Sequence, residues 1–265
     1  MGMVMEFIKI ERLGTIGAIR FDNYARRNAL SKALIAELVA ALEELANEDI
    51  RAVILRSAMK HPVWSAGHDV AELPEAGRDP LPFDDSLEKL LRAVRNFRAP
   101  VIAMLDGSAW GGACDLTMAC DIVTGDEDAA FAITPVKLGL PYNVSGIQHF
   151  LARLPVNIVN EMFFTATPID ASRAASLGIL NMLVPGAELE EKTYAMARLI
   201  ATRSPQAISA YKAQAQALTD ASPLTPREFE RLQSIRRNVY LGSDYAEGIR
   251  AFIEKRPPVF SQSQS

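Results

Sequence analysis

Short apolar runs in the first two thirds of the chain predict β-strands. The runs are MEFIKI, TIGAIRFD, RAVILRS, PVIAMLDG, DIVTG and ILNMLVP. Several are apolar at nearly every position instead of alternating with polar residues, which is typical of strands buried on both faces of a sheet. The pattern therefore predicts a sheet at the centre of the fold.

Helical patterns separate these runs. The clearest starts after Ser31, a plausible N-cap, and extends to about Asn47. Its apolar stripe consists of Leu34, Leu38, Leu42 and Leu45. A second helix is predicted from Asp170 to a position before Gly178, which suits the C′ glycine of a helix. Alternating strands and helices indicate an α/β core.

From about Glu188 onward only helices are predicted. Ser204-Pro205 and Thr225-Pro226 each combine an N-cap with a proline at N1, and Glu228 completes a capping box with Thr225. We therefore divide the chain into an α/β core, residues 1–190, and a C-terminal helical segment, residues 191–265. An apolar stripe in that segment is interpreted as core or as a subunit interface. It comprises Phe229, Leu232, Ile235, Val239 and Tyr240.

Composition narrows the classes of function. A formal net charge of −4 argues against a nucleic-acid surface. Cys114 and Cys120 match neither a zinc motif nor a disulfide framework, and we expect buried thiols in a reducing compartment. The N-terminus shows no signal peptide, no run is long enough to span a membrane, and no cluster of metal ligands is evident. We expect a cytoplasmic protein without a metal.

Two glycine-containing loops are candidates for binding a ligand. In WSAGHDVAEL, Ala66-Gly67-His68 permits a sharp turn that exposes backbone amides. In GSAWGGAC, Gly111-Gly112 opens a helix, where a free amide is a natural half of an oxyanion hole. Each loop alone is equally compatible with an ordinary turn or with close helix packing. The spacing in GSAWGG does not match the dinucleotide-binding fingerprint.

The loop PVKLGLPYNVSG contains no acidic residue and one phenol, Tyr142. Leu140-Pro141-Tyr142-Asn143 is good turn chemistry by itself, so Tyr142 could simply hold the turn with a buried hydroxyl. The alternative is that the phenol faces a substrate. The residues alone do not decide between them.

Five stretches in this order resemble the crotonase (enoyl-CoA hydratase/isomerase) superfamily, from about Phe7 to Phe260. They are SAGHD, GSAWGGACDLTMACD, TPVKLGLPYNVSG, TATPIDASRAASLGILNMLV and YAEGIRAFIEKRPPVF. The GHD, WGG and PYN variants are similar to those of the members that decarboxylate methylmalonyl-CoA. The resemblance implies a spiral of repeated ββα units, with C-terminal helices that build a homotrimer or a dimer of trimers.

The resemblance also implies roles for the glycine loops. The thioester carbonyl of an acyl-CoA would lie between the amides of His68 and Gly112, with Ala66, Gly67 and Gly111 shaping the pocket. The two glutamates with which hydratases of the family activate water correspond to Asp115 and Val136. Val136 cannot transfer a proton, and Asp115 is a shorter side chain for which we favour a supporting role.

Decarboxylation of methylmalonyl-CoA to propionyl-CoA needs neither glutamate, because loss of CO₂ forms the enolate directly. An apolar Val136 avoids a repulsion of about 4 kcal/mol between two carboxylates at roughly 4 Å. Tyr142 is expected to donate a hydrogen bond to the substrate carboxylate, with Thr134 and the His68 side chain as further candidates in that pocket or for later proton delivery.

The resemblance places CoA near Arg26 or Arg27 and near Phe252 and Lys255 in the C-terminal motif. No metal or redox cofactor is implied, since the CoA thioester accepts the electrons. Two alternatives stay open. One is a hydratase or isomerase that uses Asp115 as a lone base, and the other is a non-catalytic protein that binds acyl-CoA on the same fold.

Overall fold

The predicted strand runs form a six-stranded sheet, and a second, smaller sheet lies beside it. The computed structural model describes residues 5–221 and 224–260. Within these residues the strands are β1 (Ile8–Leu13), β2 (Ile16–Phe21), β3 (Ala52–Ser57), β4 (Val63–Ser65), β5 (Val101–Leu105), β6 (Ser108–Trp110), β7 (Ile122–Gly125), β8 (Ala130–Ala132), β9 (Ile169–Asp170) and β10 (Met182–Leu183).

The large sheet has the order β1-β2-β3-β5-β7-β10. Its strands are parallel except for the β1/β2 hairpin, and every residue of β3 is buried. Burial on both faces explains why these runs are continuously apolar. The predicted α/β core is confirmed.

The small sheet, in the order β4-β6-β8-β9, was missed by the sequence pattern. Its strands have two or three residues each, which is too short to show a period. β4, β6 and β8 run parallel to one another, and β9 is antiparallel to β8. The three parallel strands each follow a strand of the large sheet, so that the pairs β3/β4, β5/β6 and β7/β8 are repeated units that lead into a helix.

The helices follow the predicted caps. In the described part of the chain they are α1 (Lys32–Ala46), α2 (Ser86–Asn96), α3 (Gly112–Ala119), α4 (Val144–Leu151), α5 (Val156–Thr165), α6 (Ala171–Ser176), α7 (Gly186–Ala201), α8 (Pro205–Asp220), α9 (Pro226–Leu241) and α10 (Ser243–Ile253). Ser31, Asp170 and Ser204 cap their helices with side-chain oxygens. Thr225 and Glu228 form the predicted capping box.

The helices complete the core on both sides of the large sheet. The predicted leucine stripe of α1 is buried. The predicted boundary after residue 190 falls inside α7, whose Leu189, Tyr194 and Ala197 are buried in a cluster with residues of β2, β3 and β5. The division into two parts stays a prediction. No helix in the described ranges is both long and apolar enough to cross a bilayer.

Candidate active site

Three loops meet beside the small sheet, because each follows one of its neighbouring parallel strands. They begin after Ser65 in β4, after Trp110 in β6 and after Ala132 in β8. Together they border a cavity of about 620 Å³. Its wall contains the predicted site residues Arg26, Arg27, Ala66, His68, Gly111, Gly112, Thr134, Tyr142 and Phe252.

The backbone amides of His68 and Gly112 lie side by side at this cavity. A Cβ atom built on Gly112 would be 3.3 Å from the His68 nitrogen. Gly112 is the first residue of α3, where amides have no acceptor within the helix, and Gly111 has no side chain to cap them. At His68, the bridge to Leu30 uses the flanking Gly67 carbonyl and Asp69 amide, so the His68 amide points to the other side.

Gly67 is required for this close approach. Its φ of +81° lies in the left-handed region, and a Cβ atom there would be 2.1 Å from the Trp110 carbonyl oxygen. A side chain at residue 67 would therefore push the two loops apart. The glycines alone did not establish that these two loops are adjacent. The fold brings them together.

A buried asparagine ties the two arginines to the first loop. Asn28 adopts φ +49°, donates from Nδ2 to the Trp64 carbonyl at 3.0 Å, and accepts at its own carbonyl from Ser65 Oγ at 2.7 Å. The Ala66 amide donates to the Arg27 carbonyl at 2.9 Å. Arg26 and Arg27 are thereby held at the cavity rim.

Tyr142 is part of a hydrogen-bonded chain that continues into the protein. Its hydroxyl donates to Asp115 Oδ2 at 2.6 Å, and His149 Nδ1 lies 2.7 Å from Asp115 Oδ1. Asp115 is fully buried and His149 is 7% exposed. Burial, followed by the negative charge of Asp115 and the hydrogen bond to it, holds the pKa of Tyr142 well above its usual value.

This geometry revises the expected role of Tyr142. The hydroxyl hydrogen that was expected to meet a substrate carboxylate is donated to Asp115 instead. Asp115 stands behind Tyr142 and does not line the cavity, which agrees with a supporting role for this residue. His149 was missed because a lone histidine in α4 carries no signal of its partner.

The loop that carries Tyr142 is held from two other directions. Asn143 caps α4 by accepting from the Gly146 amide at 3.2 Å, and it donates from Nδ2 to the buried Glu88 of α2 at 2.6 Å. From α9, Arg236 donates to the Pro141 carbonyl at 3.3 Å. The PYN sequence therefore forms a turn and also anchors this loop to α2 and α9.

The buried Arg236 itself is anchored in the loop before α2. Its guanidinium donates to Asp79 Oδ2 at 2.6 Å and to the Leu81 carbonyl at 2.9 Å. Leu81 lines the cavity. The C-terminal helices thus brace two parts of the cavity wall.

Other predicted residues lie around the cavity to different extents. Thr134 is on the wall, close to Gly111, where a Cβ atom would be 3.4 Å from its Oγ1. Val136 lies between two lining residues but is 44% exposed and outside the wall. Lys255 is exposed and also outside it. Gly67 shapes the turn without lining the cavity.

The wall also includes residues that the sequence interpretation did not select. Lys137 adds a further cation to the wall, and Trp110, Leu81, Leu87 and Leu140 make most of the rest apolar. These side chains come from separate loops and helices, so no local pattern unites them. They make the cavity suitable for an acyl chain.

The His68 side chain sits beside an acidic helix cap. Its Nε2 is 3.8 Å from Asp85 Oδ1, and its Nδ1 is 3.2 Å from the Asp69 carbonyl. Burial alone would raise the pKa of Asp85, but His68 and the amides at the start of α2 outweigh it and lower the pKa. Across residues 5–221 and 224–260, no three His, Cys, Asp or Glu side chains are grouped to hold a metal ion.

Comparison with known proteins gives consistent results. The family model described as enoyl-CoA hydratase/isomerase matches residues 11–263. Methylmalonyl-CoA decarboxylase of Escherichia coli (strain K12) is 43% identical over 97% of this chain and 99% of its own length. The human mitochondrial enoyl-CoA hydratase domain-containing protein 3 is 36% identical over 94% of this chain and 82% of its own length.

Solved structures show the same architecture. Methylmalonyl-CoA decarboxylase in complex with 2-nitronate-propionyl-CoA superposes with a TM-score of 0.96 at 41% identity, covering 97% of this chain and 99% of that one. The enzyme complexed with 2S-carboxypropyl-CoA gives a TM-score of 0.95 at 42% identity, covering 98% and 99%. The predicted crotonase-like spiral is confirmed, and the chain belongs to the enoyl-CoA hydratase/isomerase family.

Proposed function

We propose that the protein decarboxylates methylmalonyl-CoA to propionyl-CoA. The observation that carries this proposal is a pair of free backbone amides facing a cavity that is poor in acids. Of the described side chains that line the cavity, Asp69 is the one carboxylate, and it is 2.7 Å from the Arg26 guanidinium. Hydration needs a positioned acid and base, and this wall does not offer that pair.

The amide pair suits a reaction through a thioester enolate. The carbonyl oxygen accepts hydrogen bonds from the amides of His68 and Gly112, and the bond from Cα to the carboxylate carbon breaks. Its electron pair enters the enolate as CO₂ leaves. Donors fixed before the reaction stabilise charge that develops in the transition state, and one such donor contributes about 10²- to 10³-fold in rate.

The substrate carboxylate is received at Tyr142, which lines the same cavity. Thr134, beside Gly111, supplies a further polar atom of the wall, and Leu87 and Leu140 keep much of the surroundings apolar. A poorly hydrated pocket favours the change from a charged carboxylate to neutral CO₂. At the rim, Arg26, Arg27 and Lys137 supply cations for the phosphates of CoA.

The relatives support the choice of substrate. The E. coli relative is named for decarboxylation of methylmalonyl-CoA, and a solved relative is complexed with 2S-carboxypropyl-CoA, a CoA derivative that bears a carboxylate. These two names support a carboxylated acyl-CoA as the substrate.

The test is incubation of the purified protein with methylmalonyl-CoA, malonyl-CoA and crotonyl-CoA in separate reactions. The products are separated by chromatography and identified by mass. Formation of propionyl-CoA from methylmalonyl-CoA is the expected result. Hydration of crotonyl-CoA without decarboxylation contradicts the proposal and favours the alternative base Asp115, while binding without turnover favours a non-catalytic acyl-CoA-binding protein.

We further propose that the chain acts as a homotrimer or a dimer of trimers, without a metal or redox cofactor, in the cytoplasm. Apolar side chains exposed on α7 to α10 support the assembly. They include Leu199, Tyr211, Leu218, Phe229, Ile235, Val239, Leu241 and Ile253. The free, buried Cys114 and Cys120 suit a reducing compartment.

Three measurements test these statements. Light scattering after size exclusion should give three or six times the chain mass, and a monomer contradicts the assembly. Activity should survive dialysis against a chelator, and its loss contradicts the metal-free reaction. Cell fractionation tests the compartment, and recovery of the protein outside the soluble cytoplasmic fraction contradicts that part.

A further inference from the structure

The hydroxyl of Tyr142 has one hydrogen, and the structure already assigns it a partner. Tyr142 donates to Asp115 Oδ2 at 2.6 Å, while the other oxygen of Asp115 is occupied by His149 Nδ1 at 2.7 Å. Asp115 has no exposed surface from which water could supply another donor. The carboxylate therefore depends on these two groups.

A bound substrate that carries a carboxylate competes with Asp115 for the Tyr142 hydrogen. A single hydroxyl cannot donate to two carboxylates at once. If the hydrogen turns to the substrate, Asp115 Oδ2 is left buried without a donor. If it stays on Asp115, two like charges face each other across one phenol oxygen. When two carboxylates share such a site, one of them binds a proton.

We propose that Asp115 takes up one proton when the carboxylated substrate binds, and that this proton replaces the one that Tyr142 gives to the enolate carbon. The inference rests on the decarboxylation proposed above. In the bound state Asp115 Oδ2 donates to the Tyr142 oxygen, which frees the tyrosine hydrogen for the substrate. Asp115 acts through Tyr142 as a positioning residue and proton reservoir.

The step balances in atoms and charge. A proton from solvent adds to the Tyr142 oxygen in the open cavity as the original hydroxyl hydrogen passes to Asp115 Oδ2. After the bond to CO₂ breaks, the Tyr142 proton forms the new C–H bond at Cα. The Asp115 proton then moves to Tyr142, and the negative charge of the enolate ends on Asp115.

The neighbouring groups favour Asp115 as the site of uptake. Glu88 is also buried near Tyr142, but it accepts from Asn143 and Ser145, and Arg92 lies 3.8 Å away. Those partners already occupy both oxygens of Glu88. His149 holds Oδ1, so the exchange of hydrogen is confined to Oδ2, which faces Tyr142.

Calorimetric titration in buffers of different ionisation enthalpy tests the proposal without turnover. The ligands are 2-carboxypropyl-CoA, which carries the carboxylate, and propionyl-CoA, which does not. We expect uptake of about one proton per carboxylated ligand at mildly alkaline pH, and close to none for propionyl-CoA. Asp115→Asn should abolish the difference between the two ligands.

An infrared difference spectrum of the wild-type protein keeps the proposal testable if the Asp115→Asn chain does not fold. The carboxylated ligand should produce the C=O stretch of a protonated carboxyl group, and propionyl-CoA should not. Absence of that band, uptake by Asp115→Asn equal to wild type, or equal uptake with both ligands overturns the proposal. These results are independent of decarboxylation, whose failure would show only in the turnover assay.

Exchange of the α-hydrogen of propionyl-CoA with D₂O measures the proton path in reverse. Asp115→Asn should slow this exchange by about a hundredfold, the scale of a lost acid–base group, and slow CO₂ release much less. A purely structural role for Asp115 predicts parallel losses in both rates. Parallel losses would therefore contradict the proton path.

Discussion

Two parts of the cavity wall, its backbone side and its side-chain side, are held in place by different groups. On one side, the His68 and Gly112 amides belong to the backbone and are set by the close approach of two loops. On the other side, Tyr142 owes its orientation to the side chains of Asp115 and His149. The backbone side tolerates changes of many side chains but no displacement of the chain, whereas the side-chain side depends on individual hydrogen atoms.

The difference follows from what each side must hold. An enolate oxygen needs fixed donors whatever the acyl group, and amides supply them without a change of protonation state. A carboxylate that becomes CO₂, and a carbon that then needs a proton, require groups that can exchange hydrogen. Substitutions on the two sides should therefore fail in different ways.

Gly67→Ala should have the largest effect, because a methyl group would collide with the Trp110 carbonyl and separate the amides. We expect decarboxylation to fall by at least about 10²-fold, the value of one oxyanion donor, measured as kcat/KM. Gly178→Ala is the matched control, since Gly178 has a similar φ of +79° with nothing within 4 Å. Equal activity of the two variants would contradict the required close approach.

Tyr142→Phe should lower kcat by about a hundredfold, because it removes the hydroxyl that exchanges hydrogen with the substrate. It should also reduce the free energy of unfolding by about 1–3 kcal/mol, since the buried Asp115 loses a donor. Tyr24→Phe removes a hydroxyl that bonds Ser57 and Met59 outside the cavity wall, and it serves as the control. Turnover like that of the wild type would return Tyr142 to a structural role.

Arg26→Ala tests whether Arg26 contributes to CoA binding without affecting the chemical step. We expect KM for methylmalonyl-CoA to rise about tenfold with kcat little changed, because an exposed cation adds ground-state binding. Arg173→Ala, which breaks an exposed pair with Glu161 away from the cavity, should change neither constant. A fall in kcat alone would argue against this role.

Val136→Glu should have the smallest effect on steady-state decarboxylation. The side chain is half exposed, and a new carboxylate in water-like surroundings would oppose the substrate by about 1 kcal/mol instead of 4. Less than a tenfold loss relative to Val136→Gln is expected. A hundredfold loss would mean that residue 136 faces the substrate when it is bound.

Much of the fold could be predicted from the sequence, because its signals are local. The continuous apolar runs and the caps at Ser31, Asp170 and Thr225 correspond to elements of the structure. The small sheet was not predicted, because strands of two or three residues are too short to show a hydrophobic period. The strand order of this sheet nevertheless decides which loops meet. The site loops were therefore recognisable one by one, whereas their arrangement depended on the resemblance to a family.

The contacts of the side-chain network could not be predicted from local sequence patterns. Asp115 and His149 are 34 residues apart, and Asn143 and Glu88 are 55 residues apart. No spacing rule connects such residues, because their contacts arise from packing of separate helices. The residues alone left the role of Tyr142 open, and the resemblance to the family predicted that it donates to a substrate; the contact with Asp115 shows that its hydrogen is already used.

Because Arg236 donates to the Pro141 carbonyl, the site is completed only after α9 has been synthesised. Chains fold from their N-terminal parts while they are still being made. The three loops of the cavity are complete long before α9 leaves the ribosome, but the loop with Tyr142 lacks its brace until Arg236 arrives. A nascent chain should therefore hold both amides in place before the Tyr142 loop has its last attachment, and decarboxylation should reach its full rate only after α9 has been synthesised.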